Sequence, residues 1–305
     1  MKQTPITVHV GLMKTATTTL QKRVFPHHEG LNYLGGPEFV DDAICSAIAA
    51  ISKQDRFMYD GDYHRKQASK IISDAVKQDK PILISAESLS TPTVDRLTKA
   101  ERIVELFGEV RFLLCLRRPE DLMTSLYSES IKLLNPKSGH LPDLDSWLDR
   151  EWSDQRATRH TRILDFSALI RCYQNLVGKE NVSVVLFEDL CNKPTDYAHQ
   201  LSDFIGTSSQ RTLELLQAPK ENRSVTELDY KLFKLSSLLG FRVGNEKLMK
   251  FIPRPVKEII KNSMSGTKKF SMSDEWRERI RVYSREANED LGKLIGSGPE
   301  RYDYF

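Results

Sequence analysis

The segment "HVGLMKTATTTLQ", residues His9 to Gln21, sets a glycine, a lysine and a run of threonines between a strand-like and a helix-like stretch. Strand, tight turn, then helix is the geometry that offers backbone N–H groups to an anion. Gly11 supplies the turn, Lys14 a movable positive charge, and Thr15, Thr17, Thr18 and Thr19 hydroxyl donors. Helix propensity does not account for three successive threonines, which are poor helix formers, whereas donation to anion oxygens does. The stretch is not the nucleoside-triphosphate signature G-x-x-x-x-G-K-[ST], because Met13 and not a glycine precedes Lys14. An ordinary strand–helix turn with a surface lysine is the alternative reading.

A second cluster follows the apolar run "VRFLLCL". In "RRPEDLMTSLYSE", Arg117 stands at the end of that run, Pro119 opens a helix, and Ser125 lies two helical turns on. An arginine at a strand's carboxyl end faces the ligand crevice of an open α/β sheet. With a hydroxyl nearby it suits a phosphate held by charge-assisted hydrogen bonds.

These groups need a frame. "ITVHV" (6–10), "PILIS" (81–85), "VRFLLCL" (110–116) and "VSVVLF" (182–187) read as short buried strands. A helical pattern runs from Thr15 to Phe25 and stops at Pro26, and another, "FSALIRCYQNLVG", ends at Gly178. Continuous apolar strands alternating with helices predict an α/β fold with a parallel sheet flanked by helices on both faces. The tail "SDEWRERIRVYSREANEDLGKLI" returns to helix, with Ser273 and Trp276 near its start. One domain over 1–305 is expected, with an irregular basic excursion at about 240–270.

Taken together, "GLMKTATT" and "RRPEDLMTS" resemble the sulfotransferases that use 3′-phosphoadenosine 5′-phosphosulfate (PAPS), of the bacterial carbohydrate-sulfating kind. The family's 5′ loop reads roughly G-x-x-K-[ST]-[GA]-[ST]-[ST]. Its 3′ element is R-x-P with a serine eight positions after the arginine, here Arg117 and Ser125. "VSVVLFEDLCNKPTDYAHQLSDFIG" and the C-terminal helix also look similar to the family's later parts. Two positions depart from it: Met13 replaces the usual proline and Ala16 the frequent glycine. Alanine fits if position 16 is helical and is strained if φ is positive.

The resemblance implies a P-loop NTPase-like sulfotransferase fold and transfer of a sulfuryl group from PAPS to a hydroxyl or amine of a carbohydrate, glycolipid or polysaccharide precursor. Gly11, Lys14, Thr15, Ala16, Thr17 and Thr18 would cradle the 5′ end, Arg117 and Ser125 the 3′-phosphate. Lys220, Asn222 and Arg223, in the basic stretch "APKENRSVTELDY", would close over the nucleotide. Lys14 would also act on the leaving group, and no metal is required.

Glu87 in "PILISAESLS", at the carboxyl mouth of a strand, is the first candidate for the general base. His27, His28, Glu29 and His9 are weaker candidates, a structural role being expected of His9. A structural role is also expected of Glu188 and Asp189, since carboxylates repel a polyanionic donor.

A nucleotide kinase and a non-catalytic nucleotide- or glycan-binding module remain as alternatives. A kinase loop would carry a glycine before its lysine and a strand-end aspartate for magnesium.

At 305 residues, 39% hydrophobic and 29% charged, with net charge +3, the composition is that of a soluble globular chain without a nucleic-acid-binding signature. No apolar run approaches the roughly 20 residues of a membrane span. Four scattered cysteines without metal spacing predict a reducing, cytoplasmic home. The expected partners are the donor nucleotide and a hydroxylated acceptor.

Overall fold

The computed structural model describes residues 5–35, 43–91, 95–133, 142–153, 161–217, 270–296 and 298–305. The chain divides into two compact units. The first comprises Met1–Arg118, Ile163–Pro219 and Tyr283–Phe305, the second Pro119–Arg162 and Lys220–Val282.

The first unit is built on a five-stranded sheet: β1 Ile6–His9, β2 Asn32–Gly35, β3 Ile82–Ser85, β4 Val110–Leu116 and β5 Val182–Leu186. All pairings are parallel and the order is β2-β3-β1-β4-β5. The fold class is therefore α/β, as the strand pattern predicts. The four apolar runs are four of the strands. The fifth, β2, carries "NYLG" and has two half-buried positions at the sheet edge, too short and too polar to signal a buried strand.

Alternate side chains of the strands enter two cores. On one face Leu83, Leu113, Cys115 and Val185 meet Leu20, Val24 and Phe25 from the segment after the loop. Tyr197, Ala198 and Leu201 of the helix Pro194–Ile205 complete that layer. On the other face Phe112 stacks on Tyr173 of the helix Phe166–Val177, ring centroids 4.5 Å apart. Gly178 ends that helix at φ 91°, a left-handed stop that glycine adopts without strain. The helices Ala43–Lys53 (here α1), Gly61–Val76 (α2) and Arg96–Phe107 (α3) also belong to this unit.

The topology defines a crevice. From β1 the chain departs toward β3 and β2, and from β4 toward β5 on the opposite side. Such a switch point opens a cleft at the carboxyl ends of the strands. The loop after β1 and Arg117 after β4 both stand at that switch point, and the turn after β3 is on the other side of β1.

The C-terminal segment ties into the same rim. Tyr304 OH donates to Glu188 Oε2 at 2.8 Å, and Glu188 Oε1 accepts from the Arg118 backbone N–H at 2.8 Å. Tyr302 OH donates to Asp189 Oδ1 at 2.6 Å. Both carboxylates thus accept hydrogen bonds from within the first unit.

In the second unit the helices Pro119–Leu133 (α4) and Leu144–Ser153 (α5) carry its aromatics. Tyr127 OH donates to the Pro142 carbonyl at 2.8 Å, and Trp152 packs on Trp276 with centroids 5.4 Å apart. Ser273 Oγ accepts from Trp276 N–H at the start of the helix Asp274–Ala287. No helix among the described residues is long and apolar enough to cross a membrane. The basic excursion expected at 240–270 lies outside the described residues except for Phe270.

Tyr304→Phe removes the phenol donor from a buried carboxylate oxygen. The expected loss is about 1–3 kcal/mol of unfolding free energy, read from urea melts.

Candidate active site

Gly11 is where the loop must be bare. A Cβ there would lie 2.2 Å from Thr17 Cγ2 and 2.7 Å from His9 Cε1. The loop then passes through two left-handed residues, Lys14 at φ 66° and Ala16 at φ 67°. Left-handed residues of this kind curl successive N–H groups into an anion-binding concavity. The alanine at position 16 is thus in the strained conformation and not the helical one. The helix expected from Thr15 to Phe25 is instead a single α turn, Thr17–Thr19, followed by a π segment, Leu20–Val24, and a 3₁₀ turn, Phe25–His27. Pro26 has no N–H to continue a regular ladder.

The loop side chains divide by partner. Thr15 is fully buried and donates its hydroxyl to the Leu12 carbonyl at 2.6 Å, stapling the loop from within. Thr17 is buried and donates to Glu87 Oε1. Thr18 is exposed and Lys14 half-buried. The structure therefore brings the candidate base to the first turn after the loop.

Arg117 is joined to the loop as well. Its Nη1 donates to the Lys14 carbonyl at 3.0 Å, and its guanidinium lies 4.4 Å over the Phe187 ring. Its Nε is buried with no hydrogen-bond partner among the described residues. Ser125 lies on α4 of the second unit, half-buried. Lys220, Asn222 and Arg223 lie outside the described residues.

Glu87 opens a 3₁₀ turn, Glu87–Leu89, directly after β3. Three groups hold that turn, among them Ser90, one of the serines around Glu87 read from the sequence as suiting a substrate-facing turn. The Ala86 N–H donates to the His9 carbonyl at 3.2 Å. Ser90 Oγ is 2.8 Å from the Gly11 carbonyl and 2.9 Å from the Glu87 carbonyl, and its one proton serves either. Lys99 of α3, fully buried, donates Nζ to the Ser88 carbonyl at 2.7 Å and the Thr91 carbonyl at 2.6 Å. A signal for Lys99 exists in the sequence: it shares the helical stripe of Ile103 and Leu106, where a lysine has no reason to be unless it is paired.

His9 sits under the loop. Its Nδ1 is 2.7 Å from Ser85 Oγ, which also accepts from Gln21 Nε2 at 2.9 Å. Its Nε2 is buried without a partner, so the expected structural histidine is satisfied at one nitrogen only. Burial pushes its imidazole down to about 4. His28 faces away from a catalytic role, its Nε2 on the Ser208 carbonyl at 3.3 Å and its Nδ1 accepting from Gly30 N–H. Glu29 pairs with Arg211 at 2.7 Å. Cys115 is buried behind the loop, its thiol pushed up to about 12 by desolvation, and is unreactive.

No family model matches the sequence, and no curated protein matches it. Among solved structures the chain is similar to a sulfotransferase from Alicyclobacillus acidocaldarius. Identity is 18% over 77% of this chain and 94% of that one, with a TM-score of 0.49. It is also similar to the sulfotransferase domain from the curacin biosynthetic pathway, with 12% identity over 94% of this chain and 97% of that one and a TM-score of 0.42.

Replacing Ala16 by glycine relieves a left-handed alanine at the cost of a freer unfolded chain. A net gain of about 0.5–1 kcal/mol is expected, seen as a higher urea midpoint. Acid should weaken the fold through His9. Below its ordinary pKa of 6.5 the unfolded chain binds a proton that the folded chain refuses until about pH 4. Stability is therefore full above that range and falls as pH drops through it, by roughly 3 kcal/mol. His9→Gln should flatten that part of the pH–stability curve, and an unchanged slope would remove His9 as its source.

Proposed function

We propose that the chain is a sulfotransferase that moves a sulfuryl group from PAPS to an acceptor hydroxyl. The observation that carries the reading is Arg117. One arm of its guanidinium holds the Lys14 carbonyl, and its buried Nε lacks an acceptor. A buried charged donor without a partner calls for an anionic oxygen. Two anion-holding elements, the loop and Arg117, thus meet at one switch point with a carboxylate on the neighbouring turn.

In this reading the left-handed loop and Lys14 hold the 5′-phosphate and its sulfate, and Arg117 with Ser125 holds the 3′-phosphate. Lys220, Asn222 and Arg223 are proposed to close over the nucleotide. Glu87 takes the proton from the acceptor hydroxyl. The acceptor oxygen forms a bond to sulfur while the bond from sulfur to the bridging oxygen breaks. That oxygen leaves with the electron pair as part of adenosine 3′,5′-bisphosphate. Charge accumulates on the leaving oxygen, where Lys14 and the loop N–H groups stabilise it. Thr17, which donates to Glu87, keeps the carboxylate oriented before the acceptor arrives.

Calorimetry without magnesium should show binding of adenosine 3′,5′-bisphosphate. Arg117→Ala should weaken it at least tenfold more than it weakens AMP, which lacks the 3′-phosphate. Binding of ATP–magnesium in its place would overturn the proposal in favour of a kinase. Glu87→Gln should keep bisphosphate affinity and lower kcat by about 10²–10⁴. Near-normal turnover would remove Glu87 as the base.

A further inference from the structure

Beside Glu87 the first unit holds a cavity of about 290 Å³. Its wall is a stripe of α1, Cys45, Ile48 and Ala49, one helical face at i, i+3 and i+4. Gln21 and Ser85 form the floor, Glu87 one edge, and Lys53, exposed at the end of α1, the outer lip. At roughly 30 Å³ per water-sized unit the space takes on the order of ten heavy atoms.

Three polar side chains of this cavity already have partners within the protein. Gln21 Nε2 is given to Ser85 Oγ, and Ser85 Oγ is shared with His9 Nδ1. Ser88 Oγ accepts from Ser52 Oγ at 3.0 Å. Most of the surface that a guest would touch is apolar. A sugar ring laid along this wall would set several hydroxyls against apolar surface, and each one that loses water there without a partner costs about 1–3 kcal/mol. A guest with one hydroxyl at Glu87 and carbon elsewhere meets no such penalty.

Resting on the sulfotransferase reading, we infer that the acceptor is a compact alcohol or phenol with an apolar body, and not the carbohydrate that the sequence resemblance implies. The apolar body lies along Cys45, Ile48 and Ala49, and the hydroxyl proton goes to Glu87 as its oxygen bonds to sulfur. Ala49 is exposed on its helix and makes none of the contacts that hold the loop. It is therefore the position at which the cavity is filled without disturbing the donor's side.

The test compares 4-methylphenol with methyl β-glucoside as acceptors for PAPS, in the full chain and in Ala49→Phe. The phenol should show kcat/KM at least tenfold above the glucoside. Ala49→Phe should lower the phenol value at least tenfold while adenosine 3′,5′-bisphosphate binds as before. Equal or better turnover of the glucoside, or an Ala49→Phe variant as active on the phenol as its parent, overturns the inference. So does an enzyme that binds the bisphosphate and sulfates neither acceptor, and that result leaves the donor reading standing. If the bisphosphate does not bind, the donor reading falls, and the cavity is judged by calorimetry with 4-methylphenol alone. Binding tenfold weaker in Ala49→Phe upholds the apolar pocket, and equal or undetectable binding in both proteins overturns it.

Discussion

The contact between the Arg117 guanidinium and the Lys14 carbonyl is the joint of this site. It fixes the loop after β1 to the end of β4, and so closes the floor of the crevice that the strand order opens. Arg117 is itself braced. Phe187 lies under its planar face, and the next residue's N–H is held by Glu188, which Tyr304 holds in turn. A guanidinium performs this task where an ammonium would not, because its donors sit in a rigid fork. One branch can grip the backbone while another remains aimed elsewhere.

Across β1 the turn bearing Glu87 is set by a different device, a buried cation. Lys99 donates to the Ser88 and Thr91 carbonyls and reaches the Thr91 hydroxyl at 3.3 Å. The lysine shapes the backbone while Thr17, from the loop, contacts the carboxylate.

The parallel sheet was legible because buried parallel strands need apolar residues on both faces, and four runs satisfied that. The edge strand was not, since "NYLG" owes its place to pairing with β3 and not to its own composition. In the loop, glycine and lysine stood out by type, yet the roles of the threonines depended on rotamers that spacing does not specify. Thr15 turned inward to Leu12, and Thr17 turned to a residue 70 positions away. Ala16 shows the limit from the other side. The family pattern raised the question of its φ, and only the folded backbone answers it. The work of Lys99 and Ser90 is to satisfy carbonyls, a demand that arises only once the chain has folded.

The bonds that join the strands' ends at the site span great lengths of chain. His9 to Ser85 crosses 76 residues, Ser90 to Gly11 crosses 79, and Arg117 to Lys14 crosses 103. None can form before the strands have docked, and closing such long loops delays the parallel pairings themselves. These fastenings of the loop thus depend on the prior assembly of the sheet. Under the proposed function a nucleotide would recognise only the finished topology, and at a hundred times its Kd it would add about 2.7 kcal/mol to the folded state. Any ligand held in this crevice would in that sense act as a late structural member of the protein.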